Sequence, residues 1–521
     1  MEDRDRDSNN PKRPVLFIGL TLLVLAAYAS SLPAGLHADD WSHQLIPREF
    51  DSLGDWLDPP FPFNTSFRPV YLAYLWGLSK VSAVGIPLAR LLVILLHACA
   101  VWTVFGLARK WMRTDSVLPA VLAAAWFGVA FCHYEVPNAL TNSETPGALF
   151  LLLTIASLAL WWNALSFTRV CLVLGLWALA LLCKEYALWI PAVLAAVWLW
   201  KKVSRHSPLT FGERGLQVSP QGKESVLPYP PGRGGGGAKG ALLAGMIVLS
   251  LLYLGIWAGI DREAEDMADV IGPILSIKGI GNLFSSLASL PLFDPLQERW
   301  RGILCDRLGL PEGFLWGLRL LNLAVVIGVG VLALRGLRSA GFFIAWLLIL
   351  GPLLLTCWLP GDPASRHLYL PSAGFGILIG GSFHYLRDRW NRPPMLAWTV
   401  GALLLVEALG SFAVGWELTA TTRERERITD TLAIELKTLS AKKTVYLQNL
   451  PPKARVNMAL YFLFPGWEIE PLTPSPLLKE QPLDRFLREL PSAEEAVVLE
   501  WNGENFEQLA PEEFSSRLAT P

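Results

Sequence analysis

Apolar runs of 17 or more residues recur along the chain from Val15 to Trp416. A run of about 18 residues is long enough to cross the hydrocarbon of a bilayer as a helix. Within that hydrocarbon a segment must satisfy its own backbone hydrogen bonds, so such a chain is confined to packed α-helices. Composition agrees. Of 521 residues, 52% are apolar and 17% charged, whereas soluble domains carry roughly 25% charged residues. A soluble enzyme, a disordered chain and a secreted disulfide scaffold are excluded. Most of the six cysteines (Cys99, Cys132, Cys171, Cys183, Cys305 and Cys357) lie in or beside apolar runs, so no disulfide framework is expected. A net charge of −1 gives no reason to expect nucleic acid as a partner.

Eleven spans are expected, at 15–32, 87–108, 117–132, 146–163, 170–183, 186–200, 240–260, 314–334, 340–358, 367–386 and 395–416. The first has the form of a signal peptide, with small residues from Ala27 to Ala34, but the many later spans favour a retained anchor. With Met1 in the cytoplasm, each short inside loop carries Lys or Arg: Arg109, Lys110 and Arg113; Arg169; Lys201, Lys202 and Arg205; Arg335 and Arg338; Arg387, Arg389 and Arg392. This satisfies the positive-inside rule, provided that Pro69 to Gly85 does not cross. That short aromatic segment, with Ser79 and Lys80 within it, reads as an interfacial helix. The chain then divides into a cytoplasmic tail 1–14, a transmembrane domain 15–416 and an extracytoplasmic domain 417–521. Within the second lie an external loop 33–86, a cytoplasmic Gly/Pro-rich linker 201–239 and an external loop 261–313. The C-terminal part opens with a charged helical stretch, Thr421 to Lys437, followed by β-like runs at 444–447 and 496–499. The fold class is therefore an all-α polytopic membrane protein of about 11 helices, with a small α/β C-terminal domain.

Polar groups that a bilayer should exclude mark function in such a protein. Here they gather at the external ends of the spans. Asp39 and Asp40 follow the first span and suit a general base or a divalent-metal ligand, although a helix stop with solvated acids also fits. Arg68, before Pro69, offers a planar fork for phosphate, or an anchor at the headgroups. His133, Tyr134 and Glu135 share a loop with Asn142 and Glu144, and a carboxylate there could face the aspartates, although a solvated loop acid also fits. Lys184 and Glu185 stand between two apolar runs, a costly position unless they are paired or functional. Arg366 and His367 can bind an anion, with Tyr369 one helical turn from Arg366. His97, inside a span, reads as a helix-packing residue, and Gly374, Gly376, Gly380 and Gly381 as close helix contacts.

The order of these elements resembles the GT-C superfamily of multi-spanning glycosyltransferases, which use polyprenyl-phosphate sugar donors, and most of all its protein O-mannosyltransferase branch. The residues that carry the resemblance are Asp39 and Asp40, Arg68-Pro69, His133 to Glu135, Lys184-Glu185 and Arg366 to Ser372, spread over roughly residues 15–416. The C-terminal region lies outside it. The resemblance implies a GT-C-like fold and an inverting hexosyltransferase. Asp40 or Asp39 would be the base at the acceptor hydroxyl, or the ligand of a divalent metal if one is used. Glu135 would be a second acid. Arg68, Lys184, Arg366 and His367 would neutralise the lipid phosphate, with Glu185 orienting Lys184 and with His133 and Tyr369 in the substrate site. Its partners would be a polyprenyl-phosphate-linked sugar, an acceptor protein, glycan or lipid, and membrane lipid. A bacterial inner membrane is the expected location, with the endoplasmic reticulum as the alternative. Three other functions remain compatible with the residues: a lipid-linked sugar flippase or other transporter, an O-antigen-type polymerase or ligase, and a membrane-anchored scaffold.

Overall fold

The computed structural model describes residues 12–36, 40, 43, 50, 67–112, 114–195, 235–259, 277–291, 301, 304–305, 308–356, 365–390, 393–439, 444–450, 460, 463–464, 467–472, 482–489, 491–492 and 496–519. The helices are α1 (Lys12–Tyr28), α2 (Pro69–Val84), α3 (Ile86–Trp111), α4 (Leu118–Val129), α5 (Glu144–Trp161), α6 (Phe167–Leu181), α7 (Gly235–Gly259), α8 (Ile277–Ser289), α9 (Glu312–Gly336), α10 (Ser339–Thr356), α11 (Tyr369–Arg389) and α12 (Pro393–Leu436). Among the described residues, seven helices are long and apolar enough to cross a membrane, running over Pro14–Ser31, Ile86–Trp111, Glu144–Trp161, Gly237–Ile256, Glu312–Gly336, Ser339–Thr356 and Trp398–Leu436. Three more of the expected spans fall on shorter apolar helices, Leu118–Val129, Phe167–Leu181 and Glu185–Ala195. α2, at Pro69 to Gly85, is not among the seven. It starts on a proline, whose missing N–H is harmless in a first turn, and stops at Gly85.

The remaining expected span, 367–386, falls on α11. From Leu368 to Leu378 each residue is buried, because protein rather than lipid surrounds this helix. It packs against α4, α9 and α10. Glycine permits the approach. A Cβ on Gly336 of α9 would overlap the Gly381 carbonyl of α11, and one on Gly376 would come 2.6 Å from the Ala123 carbonyl of α4. Small residues at such contacts let backbones meet where no hydrophobic force drives association.

Several expected boundaries fall inside helices. α7 starts at Gly235, within the linker expected at 201–239; residues 196–234 lie outside the described set. The loop expected at 261–313 contains α8. α12 runs 44 residues, through the domain boundary expected at Glu417, without a break. Its last turns supply Ile428, Leu432 and Leu436 to the core of the C-terminal unit. That unit is a four-stranded sheet in the order β2 (Ile469–Pro471), β1 (Thr444–Gln448), β3 (Ala496–Trp501), β4 (Phe506–Leu509). β1 is parallel to both β2 and β3, and β4 is antiparallel to β3. The two-residue period of β3 sends Val497, Leu499 and Trp501 towards the end of α12, and Val498 towards Phe486 and Phe514 of α13 (Pro482–Glu489) and α14 (Pro511–Ala519). β1 and β3 are the runs expected at 444–447 and 496–499.

A buried carboxylate sits deep in α12. α4 ends where Ala130 leaves helical geometry (ψ 119°), which frees the Phe131 N–H to donate to Glu407 Oε2 of α12 at 2.5 Å. Glu407 is 2% exposed. Glu407→Leu strands that donor and is expected to lower stability by about 1–3 kcal/mol. Glu407→Gln keeps an acceptor and is expected to stay close to wild type. Thermal unfolding of the purified protein compares the two.

Candidate functional site

Asp40 follows the turn that ends α1, and it is 3% exposed. Thr141 donates its hydroxyl to Oδ1 at 2.8 Å, and Arg90 Nη2 stands 3.7 Å from Oδ2. Tyr71 of α2 donates to the Thr141 carbonyl at 2.8 Å. Burial pushes the Tyr71 hydroxyl far above its usual range; the Arg68 charge opposes this, and Glu144 and Asp40 reinforce it. Tyr71 is thus within electrostatic reach of both the Asp40 carboxylate and a second group of charges.

That second group is built from three chain segments. Arg68 precedes the first turn of α2 and reaches Glu185 through two parallel bonds, Nε to Oε1 at 2.8 Å and Nη2 to Oε2 at 2.9 Å. This is the two-pronged geometry that holds a guanidinium on a carboxylate. Lys184 Nζ lies 3.2 Å from Glu144 Oε1. Glu185 was expected to orient Lys184, and the structure corrects this. Lys184 has extended backbone (φ −160°, ψ 134°), and successive side chains of extended chain point to opposite sides. Lys184 therefore turns to Glu144 while Glu185 turns to Arg68. Glu144 opens α5, where exposed N–H groups favour a carboxylate. Its own N–H donates to Asn142 Oδ1, and Ser143 donates to its Oε2.

Arg366 and His367 lie in the single turn Ser365–Leu368 that leads into α11. With Glu144, Tyr186, Pro352, Thr356 and Leu370 they line a small pocket. Burial lowers the proton affinity of Lys184, against the raising effect of Glu144. Burial also brings His367 down to about 4; Glu144 opposes this, and the Lys184 and Arg366 charges add to it. His367 is therefore neutral near pH 7, so without a bound anion it is not one of the cations. Burial would raise Glu185, but Arg68 and Lys184 outweigh it and hold the carboxyl below its usual range.

Three expected residues lie elsewhere. Glu135 does not face Asp40. Its Oε2 accepts the Arg366 N–H at 3.3 Å, and its own N–H donates to Ser365 Oγ at 3.3 Å. It thus holds the turn that carries Arg366. His133 and Tyr369 belong to the packed interior. His133 Nδ1 meets Ser372 Oγ at 2.6 Å, and the Tyr369 hydroxyl meets His97 Nδ1 at 2.7 Å. At the first turn of α11 the Tyr369 side chain points inward, whereas Arg366 precedes the helix, so one-turn spacing does not bring them together. Asp39 lies outside the described residues. Thr141, Tyr71 and Arg90 were not foreseen as site residues, and Glu144 was named only as a member of the loop that follows His133. Arg90 carried a signal: it is the one charge in the run from Ile86 to Ala108.

Asp40 is poorly suited to holding a divalent metal, because its carboxylate already faces a guanidinium. Among the described residues no three His, Cys, Asp or Glu side chains come together as a metal site.

No protein-family model matches the chain, and no curated protein matches it. Among solved structures, ArnT from Cupriavidus metallidurans bound to undecaprenyl phosphate is similar at 13% identity and a TM-score of 0.48, over 94% of this chain and 93% of that chain. The oligosaccharyltransferase of Archaeoglobus fulgidus tethered with an acceptor peptide is similar at 11% identity and a TM-score of 0.43, over 88% and 63%. The same organism's AglB, in complex with an inhibitory peptide and a dolichol-phosphate, reaches 12% and 0.39, over 88% and 64%. These likenesses are low, and the chemistry below rests on this chain's own side chains.

Proposed function

We propose that the protein is a membrane glycosyltransferase of the GT-C type. It moves a sugar from a polyprenyl-phosphate donor to an acceptor hydroxyl on the extracytoplasmic side of a bacterial inner membrane. One observation carries the reading. Arg68, Lys184 and Arg366, set against the carboxylates of Glu144 and Glu185, gather at the ends of apolar helices, and Tyr71 senses the charges of both Arg68 and the buried Asp40. A lipid-linked donor needs this placement, since its tail stays among the helices while its phosphate and sugar meet the loops.

Asp40 takes the proton of the acceptor hydroxyl as that oxygen attacks the anomeric carbon. The bond from that carbon to the phosphate oxygen breaks, and the polyprenyl phosphate leaves with the electron pair. Arg68, Lys184 and Arg366 stabilise the charge that builds on the leaving phosphate. Direct displacement inverts the anomeric centre and requires nucleophile and leaving group in line. The O-mannosyltransferase branch remains the resemblance of the motif order, and the donor is then a polyprenyl-phosphate hexose.

The test is transfer or release of label from a panel of radiolabelled polyprenyl-phosphate sugars, using the purified protein in detergent micelles. Micelles have no compartments, so movement of a lipid across a membrane registers nothing. Label passing to an acceptor or to water supports the enzyme. Intact donors throughout, with translocation of the same lipids in proteoliposomes, would replace it with a transporter.

A further inference from the structure

Arg90 is 1% exposed, near the start of α3. Burying a guanidinium costs several kcal/mol unless its donors are satisfied, and pure helix packing would favour an aliphatic residue there. Its donors go to three carbonyls: Nε to Ala34 at 2.8 Å, Nη2 to Gly35 at 2.6 Å and Nη1 to Asn138 at 2.5 Å. Nε and Nη2 lie on one edge of the fork, which suits the consecutive carbonyls of Ala34 and Gly35. The same Nη2 faces Asp40 Oδ2 at 3.7 Å. From the other side α12 closes on the same segment. The Gly35 N–H donates to Thr422 Oγ1 at 3.0 Å, Arg425 donates to the Leu36 carbonyl, and Thr419 donates to the Ser30 carbonyl at 2.6 Å. The segment from Ser30 to Leu36, upstream of Asp40, is therefore held by side chains of two helices.

We propose that Arg90 is a positioning residue for Asp40, fixing the backbone that carries the carboxylate and supplying the positive charge that faces it. This rests on the reading of Asp40 as the base. Arg90 touches neither donor nor acceptor and acts through Asp40. Among the described residues, the groups that meet or sense the carboxylate include Arg90 from α3, Thr141 from the segment before α5, and Tyr71 and Tyr74 from α2, two hydroxyls whose titration responds to the Asp40 charge. A neighbouring cation favours the ionised carboxylate. Removing Arg90 therefore raises the pH at which Asp40 gives up its proton, and activity that needs the ionised form falls off at higher pH than in wild type.

The experiment uses the full chain in lipid and follows kcat and KM for the donor against pH. Arg90→Gln is expected to lower kcat about 100-fold, to leave donor KM within about threefold, and to move the acid limb up by about one pH unit. Arg90→Lys keeps the charge but cannot span three carbonyls, so its kcat falls while its acid limb stays near wild type. Thr422→Val loosens the same segment without touching the charge, and its limb is expected not to move. A purely structural role would give Arg90→Gln the wild-type limb at reduced yield, and that result overturns the proposal. If Arg90→Gln does not fold, wild-type kcat in Arg90→Lys overturns it. Loss of turnover in Asp40→Asn, with Arg90→Gln active at the wild-type rate and limb, removes this inference and leaves the base standing. Full turnover in Asp40→Asn removes the base itself.

Discussion

Asp40→Asn is expected to reduce sugar transfer by about 100- to 10,000-fold, the range lost with a general base, while donor KM stays near wild type. Asparagine keeps the shape of the side chain. Its amide oxygen can still accept the Thr141 hydroxyl that Asp40 accepts at 2.8 Å, but it cannot take a proton. Arg90 loses one charge partner and keeps three carbonyl acceptors, so the loop before residue 40 stays anchored and the variant folds. In the proposed site the donor's cations are Arg68, Lys184 and Arg366, so its binding is expected to be untouched. Measuring kcat and KM separately with a saturating acceptor checks the split. Asp39→Asn belongs in the same experiment. If it alone abolishes turnover, the base is Asp39 and Asp40 is a structural partner of Arg90.

Lys184→Gln is expected to fail twice, in stability and in donor binding, and a second substitution separates the failures. Glu144 is 3% exposed, and its charge is faced by Lys184 at 3.2 Å. Removing one partner of a buried pair costs about 3–5 kcal/mol, because the other charge is left uncompensated. The double variant Lys184→Gln/Glu144→Gln removes that burden and is expected to recover most of the unfolding temperature. It does not recover a cation for the phosphate. A hydrogen bond to a charged group is worth about 1.5–3 kcal/mol, so donor KM is expected to remain raised by at least tenfold in a protein of near-normal stability. Wild-type KM in the stable double variant would remove Lys184 from the site.

The spans and the sheet were legible because both rest on local pattern. Uncharged runs report helices that lipid or protein must cover, and two β-like runs became β1 and β3 in parallel register. The charged residues were legible too, since a charge beside apolar runs is conspicuous. Their partners were not. Arg68 and Glu185 are 117 positions apart, and only the packing of α2 against the segment after α6 decides that they meet. Adjacency misled at Lys184-Glu185, where extended backbone sends neighbours to opposite sides. Helical spacing misled at Tyr369, because the inward face of α11 is set by α4, α9 and α10 rather than by its own sequence. The end of α12 shows the same limit. Its composition changes near Glu417, but the helix continues because Ile428, Leu432 and Leu436 have a second core to enter.

The central claim is that the cations at the ends of these helices hold a lipid phosphate. A structure of the protein in lipid nanodiscs with polyprenyl phosphate bound, determined by electron cryomicroscopy, tests it most directly. The phosphate is expected within hydrogen-bonding distance of at least two of Arg68, Lys184 and Arg366, with the lipid tail leaving between helices and Asp40 on the side from which the acceptor arrives. A phosphate held elsewhere, with the Arg68–Glu185 and Lys184–Glu144 pairs intact, would contradict it.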